Sequence, residues 1–134
     1  MKCIEVVAGI IRDDDGKILI ARRASGRDHS GYWEFPGGKV EGYETASEAL
    51  QRELREELNI HTGQFSYYDT GFHATDQHEI TLHCFNGKLI DGIACGDDHD
   101  DIAWVHVHEL NGYEYSPADR PVVRQLIRDF LLSQ

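Results

Sequence analysis

Residues 45–59, TASEALQRELREELN, describe a helix with both ends marked. Thr45 and Glu48 stand at the spacing of a capping box, in which each side chain accepts a hydrogen bond from the other's backbone N–H. Asn59 follows the last apolar residue, and asparagine tolerates the left-handed conformation that stops a helix. Leu50, Leu54 and Leu58 recur every four residues and form one stripe. A helix with a single apolar stripe must bury it against another element, so the chain is not all-β.

The same helix concentrates carboxylates at its C-terminal end. On a wheel of about 100° per residue, Glu53 and Glu57 flank the leucine stripe, with Glu56 beside Glu53. Arg52, Arg55 and Glu48 fall on the opposite, solvent side. Like charges about 6 Å apart repel by roughly 0.7–3 kcal/mol per pair, and the helix dipole adds to the cost. Two readings are open. The trio belongs to a solvated face laced with Glu–Arg pairs such as Arg52–Glu56. Alternatively, the three carboxylates converge on one or two hard divalent cations, as Mg²⁺ sites completed by water and phosphate oxygens require.

Around this helix the pattern is mixed. Residues 3–11 and 17–22 are β-rich runs flanking DDDG and predict a hairpin. DDDG is not an EF-hand loop, because the first and twelfth ligand positions would be Ile11 and Arg22. YWEF (32–35) reads as extended, and further strands are expected near 65–72, 78–85 and 102–107. Val122, Val123, Leu126, Ile127, Phe130 and Leu131 have helical spacing within 119–132. This order predicts one α/β (α+β) domain over residues 1–134, a mixed β-sheet between helices. His106 and His108 alternate on the last expected strand, but no third ligand stands near them to complete a zinc site.

Bulk properties narrow the partners. With 24 acidic and 13 basic residues the formal net charge is −11. That disfavours nucleic acid polymers and anionic membranes. No apolar run approaches the ~20 residues that span a bilayer. Three widely spaced cysteines, Cys3, Cys84 and Cys95, with no CxxC pair, predict free thiols in a reducing cytoplasm. A monomer or a homodimer is expected.

Residues 38–60, GKVEGYETASEALQRELREELNI, resemble the Nudix box in Gly38, Glu44, Arg52, Glu53, Leu54, Glu56, Glu57 and Ile60. One position departs: Asn59 stands where the family has glycine. The resemblance extends to the MutT-like nucleoside triphosphate pyrophosphohydrolases through VVAGII, ILIARR, WEFPGGKVE, ITLHCF, Trp104 in IAWV and SPADRPVV. It implies a Nudix fold and a Mg²⁺ (or Mn²⁺) enzyme that hydrolyses a nucleoside triphosphate to a monophosphate and pyrophosphate. It places the metal on Glu53, Glu56 and Glu57 with the carbonyl of Gly37 or Gly38. Glu53 is the candidate for deprotonating water, Arg52 for orienting the glutamates and Glu44 for supporting them. From the loop GDDHDD (96–101) it implies a further ligand or base, assigned to Asp98, with His99 a solvated neighbour. A plain polar loop is the alternative.

For the substrate, the resemblance points to Arg23 after the ILIA strand and to Lys39 on phosphate, although both could be solvated. Trp33 and Phe35 share one face of an extended segment. Trp33 is expected in the core, and Phe35 either in the core or against the base. Asp119 stands where the oxidised-guanine type of MutT has asparagine. A carboxylate only accepts, which suits the cytosine 4-amino group or the N7–H of 8-oxoguanine. The PAD segment resembles the CTP or dCTP pyrophosphohydrolase branch. The alternatives are that Asp119 caps the last helix, that the enzyme acts on 8-oxo-dGTP, sugar nucleotides or dinucleotides, and that the chain is a non-catalytic nucleotide-binding module. Such modules typically lose a box glutamate, and all three are present.

Overall fold

The computed structural model describes residues 2–24, 30–96 and 99–134. In these residues the strands are β1 (Lys2–Arg12), β2 (Ile18–Arg23), β3 (Trp33–Glu34), β4 (Gly37–Gly38), β5 (His61–Ala74), β6 (His78–Asp91) and β7 (His99–Val105). The helices are α1 (Ala46–Leu58) and α2 (Arg120–Leu132), with a 3-10 helix over Val107–Gly112. The strands form one mixed sheet in the order β3-β2-β1-β6-β5, with β4 also on β1 and β7 also on β2. β1 and β6 run parallel over eleven partnered residues, from Lys2↔His78 to Arg12↔Lys88. The other strand pairs are antiparallel.

β1 reads as a continuous apolar run because both of its faces are covered. Ala8 and Ile10 join Ile18, Ile20, Leu82 and Cys84 under Val122, Val123 and Leu126 of α2. Val7 and Ile11 face the other way, onto Ala49 and Leu50 or onto Leu54 and Leu58 of α1. The sheet is therefore sandwiched between the two helices, as expected. Trp33 belongs to the α2-side core and meets Tyr113 edge to face at 4.9 Å.

The capping box of α1 is present in both directions, and Asn59 ends the helix at φ 57°, ψ 36°. Two expectations on extent change. β5 and β6 are each 14 residues long, carried beyond the expected limits by a ladder interrupted at three places. The last strand stops at Val105, so His106 stands at the entry to the 3-10 helix and His108 within it, not on a strand face. The Glu109 carboxylate accepts from the His106 N–H at 2.9 Å and fixes that turn, which stacks the two rings 5.3 Å apart. Cys3, Cys84 and Cys95 are free thiols. No helix among the described residues is long and apolar enough to cross a membrane.

Candidate active site

The site grows from the middle of β1. Gly37 and Gly38 pair with Ala8 and Val7 and bring the backbone close to α1. Both positions need the absence of a side chain. A Cβ on Gly37 would stand 2.0 Å from the Val7 carbonyl oxygen, and one on Gly38 2.5 Å from the Glu53 carboxyl carbon. The Glu53 carboxylate thus lies directly against the Gly38 backbone.

Arg52 organises the acidic end of the helix. Its Nε and Nη2 donate to the two oxygens of Glu44 at 2.6 and 3.0 Å, a bidentate pair. Nη1 donates to Glu53 at 3.0 Å and to Glu56 at 3.4 Å, and Nη2 also donates to the Lys39 carbonyl at 3.1 Å. The helix wheel placed Arg52 in solvent. Instead its long side chain folds back over the 39–44 loop and is only 23 % exposed. These carboxylates raise the Arg52 pKa above its already high value, Glu44 foremost. In return Arg52, followed by the Glu41 N–H, holds Glu44 below the usual carboxylate range.

The three box glutamates differ in setting. The Glu53 side chain is 13 % exposed and that of Glu56 61 %. Glu57 is half-buried. No group of three His, Cys, Asp or Glu side chains among the described residues forms a ready-made metal cage. The donor set still fits a hard divalent cation. It offers carboxylate oxygens beside the Gly38 backbone, and Mg²⁺ takes one or two carboxylates and completes its shell with water and phosphate oxygens.

A cleft of about 250 Å³ opens beside Gly37 and Gly38, lined further by Val7, Arg23, Glu34, Phe35, His73, Ser116 and Asp119. Its far wall is built by β3. The Trp33 N–H donates to the Glu114 carbonyl at 2.8 Å and the Ser116 N–H to the Trp33 carbonyl at 2.9 Å, so residues 114–116 run on beside β3. Asp119 follows and is 5 % exposed. It does not cap α2 through its side chain. Its own backbone is helical, and Oδ1 accepts from the Phe35 N–H at 3.0 Å. Burial first, then the Glu34 charge, push the Asp119 carboxyl well above the usual range. This biases it toward the protonated form, which donates as well as accepts.

Sequence similarity fits this geometry. A sequence model of the NUDIX domain matches residues 4–126. The chain belongs to the Nudix family. It is a Nudix hydrolase, and its mixed sheet with covering helices is that of a Nudix fold. It is 41 % identical over 92 % of its length, and 90 % of the relative's, to the CTP pyrophosphohydrolase of Escherichia coli. It is 34 % identical over 96 % of its length, and 99 % of the relative's, to the 8-oxo-dGTP diphosphatase of the same organism. The solution structure of the E. coli ORF135 protein superposes with a TM-score of 0.75 at 40 % identity, covering 92 % of this chain and 88 % of that one.

The remaining expected residues divide. Arg23 lines the cleft and pairs with Glu34 at 3.2 Å. Phe35 also lines it but is 2 % exposed and faces Tyr115 across 6.4 Å, so it forms the floor and offers no open stacking face. Lys39 is exposed and contributes its carbonyl to Arg52. Asp98 lies outside the described residues. The acidic run is not one loop, since β7 starts at His99 and Asp100 pairs with Arg22 at 2.7 Å. His99 is not a solvated neighbour: its side chain is 3 % exposed, and Nε2 sits 2.9 Å from Glu34 Oε2.

Glu34 lines the cleft without having been expected there, and His99 reaches it from β7. Glu34 carried a usable signal. It alternates with Trp33 and Phe35, so it faces away from their core, and β2–β3 pairing sets it opposite Ala21, two residues before Arg23.

Proposed function

We propose that the chain is a divalent-cation-dependent nucleoside triphosphate pyrophosphohydrolase with a preference for cytidine nucleotides. The observation that carries this reading is the Glu53 carboxylate held by Arg52 against the Gly38 backbone, at the edge of a nucleoside-sized cleft. Glu53, Glu56, Glu57 and the carbonyl of Gly37 or Gly38 are the donors assigned to Mg²⁺ or Mn²⁺, with Asp98 a further candidate. When bound, such a cation neutralises phosphate charge and lowers the pKa of water. Arg52 holds and orients Glu53 and Glu56 through Nη1, supported by Glu44. Glu53 accepts the proton of the attacking water. Water adds to phosphorus, a P–O–P anhydride bond breaks, and nucleoside monophosphate and pyrophosphate leave.

Arg23 and Lys39 are assigned to phosphate, and Asp119 with the Phe35 backbone to the base. The cytidine preference is supported by the PAD segment and by the similarity to a CTP pyrophosphohydrolase. A second reading, hydrolysis of 8-oxo-dGTP, is favoured by the similarity to an 8-oxo-dGTP diphosphatase. The two readings separate in a hydrolysis panel with Mg²⁺ containing the common NTPs and dNTPs, 8-oxo-dGTP and 5-methyl-dCTP, with products resolved by chromatography. Cytidine nucleotides should lead and release pyrophosphate. EDTA should stop turnover, and Glu53→Gln should lower kcat by about a hundredfold or more, as loss of a general base does. A lead for 8-oxo-dGTP by orders of magnitude selects the second reading. No turnover of any triphosphate overturns both.

A further inference from the structure

His99 opens β7, directly after the acidic pair 97–98, and reaches across the sheet to Glu34 on β3. Two features set it apart from an ordinary core histidine. Its Nε2 is 2.9 Å from Glu34 Oε2, while Arg23 Nη1 holds the same carboxylate at 3.2 Å to Oε1 and 3.4 Å to Oε2. Glu34 is thus held between a guanidinium and an imidazole, at the wall of the cleft. Its charge also acts on the buried Asp119 carboxyl.

The second feature is what His99 lacks. Its Nδ1 is buried and has no hydrogen-bond partner among the described residues. A carboxylate only accepts, so Nε2 is the N–H that donates to Glu34, and Nδ1 is left unpaired. Burying an unpaired polar atom is unfavourable. An apolar side chain of similar size would fill this position without that cost. Packing alone therefore gives no reason for an imidazole here, and the contact with Glu34 does.

We propose that His99 is a positioning residue that fixes the Glu34 carboxylate in the cleft and so contributes to selection of the nucleoside. His99 does not itself line the cleft, and it acts through Glu34. Without it, Glu34 turns fully toward Arg23. An acceptor is then withdrawn from the base, and a cation assigned to phosphate is neutralised. This inference rests on the nucleotide-hydrolase reading of the site.

The test uses the full chain and three variants, His99→Gln, His99→Leu and Glu34→Gln, with His99→Leu also placed in the Glu34→Gln background. Steady-state kinetics are measured on the best nucleotide and on the one with the next-ranked base, beside a thermal melt of each variant. His99→Leu should raise KM for the best nucleotide about tenfold, the loss expected for one charge-assisted hydrogen bond, with a smaller change in kcat. The ratio of kcat/KM between the two bases should fall with it. His99→Gln, which restores an N–H donor, should recover most of both. In the Glu34→Gln background His99→Leu should add little. A His99→Leu enzyme with a lower Tm but an unchanged base ratio overturns the proposal, as does failure of His99→Gln to differ from His99→Leu. If wild type turns over no triphosphate, the functional reading itself has failed; if wild type is active and the ratios do not move, only the role of His99 has.

Discussion

Asp119 shows how much a single residue can keep from a sequence reader. Its neighbours in SPADRP pointed to a helix cap, and the resemblance to MutT-like enzymes pointed to a base contact. Its actual partner, the Phe35 N–H, lies 84 residues away in the chain and leaves no local trace. Burial and Glu34 raise its pKa, so the group stabilises the fold fully below its unfolded value, about pH 4. That contribution is lost as the pH rises through the folded value, and above it a charge is held in a buried site. Asp119→Asn keeps an oxygen for Phe35 and removes the charge. The variant should melt a few degrees higher than wild type at pH 8 and about equally at pH 4. Parallel shifts at both pH values would contradict the assigned ionisation. Arg52 was more legible, because a Glu–Arg spacing on one helix limits where the guanidinium can go, although its return to Glu44 and the Lys39 carbonyl needed the loop.

Among the elements, α1 was readable almost to the residue, because capping is chemistry between near neighbours. Thr45 and Glu48 exchange bonds at 3.1 and 2.9 Å, and Asn59 takes the left-handed turn that the family gives to glycine. Thr45→Ala should lower the unfolding free energy by about 1 kcal/mol, read as a lower urea midpoint at unchanged slope. Because α1 carries Glu53, the same variant should lose activity at a lower temperature. An unchanged midpoint would mean that tertiary contacts alone hold the helix start. β5 and β6 were read too short for the opposite reason. Their outer halves contain Gly63, Gln64 at φ 56°, Asn86 and Gly87, which weaken any local strand signal. Pairing across the ladder, resumed after each irregularity, holds them extended.

At the scale of the molecule, the mixed sheet and its two covering helices followed from the order of apolar patterns. The way β1 is seated did not. It lies in the middle of the sheet with a constant offset of 76 residues to its parallel partner. β1 is synthesised before its parallel partner and therefore waits, one edge bare, until β6 has been made. Strands so exposed are places where chains stick to one another. Folding should accordingly be slow for the chain length, since its central pairing closes a long loop. A fragment ending at Asp76 should be insoluble or unfolded, as judged by sedimentation and circular dichroism, and a cooperative melt from it would contradict this order of assembly. The glutamate site is assembled on that same strand, through Gly37 and Gly38. A chain in which β6 has not yet docked on β1 should therefore lack a formed site and be inactive toward nucleotides, so that activity and completion of the sheet arrive together.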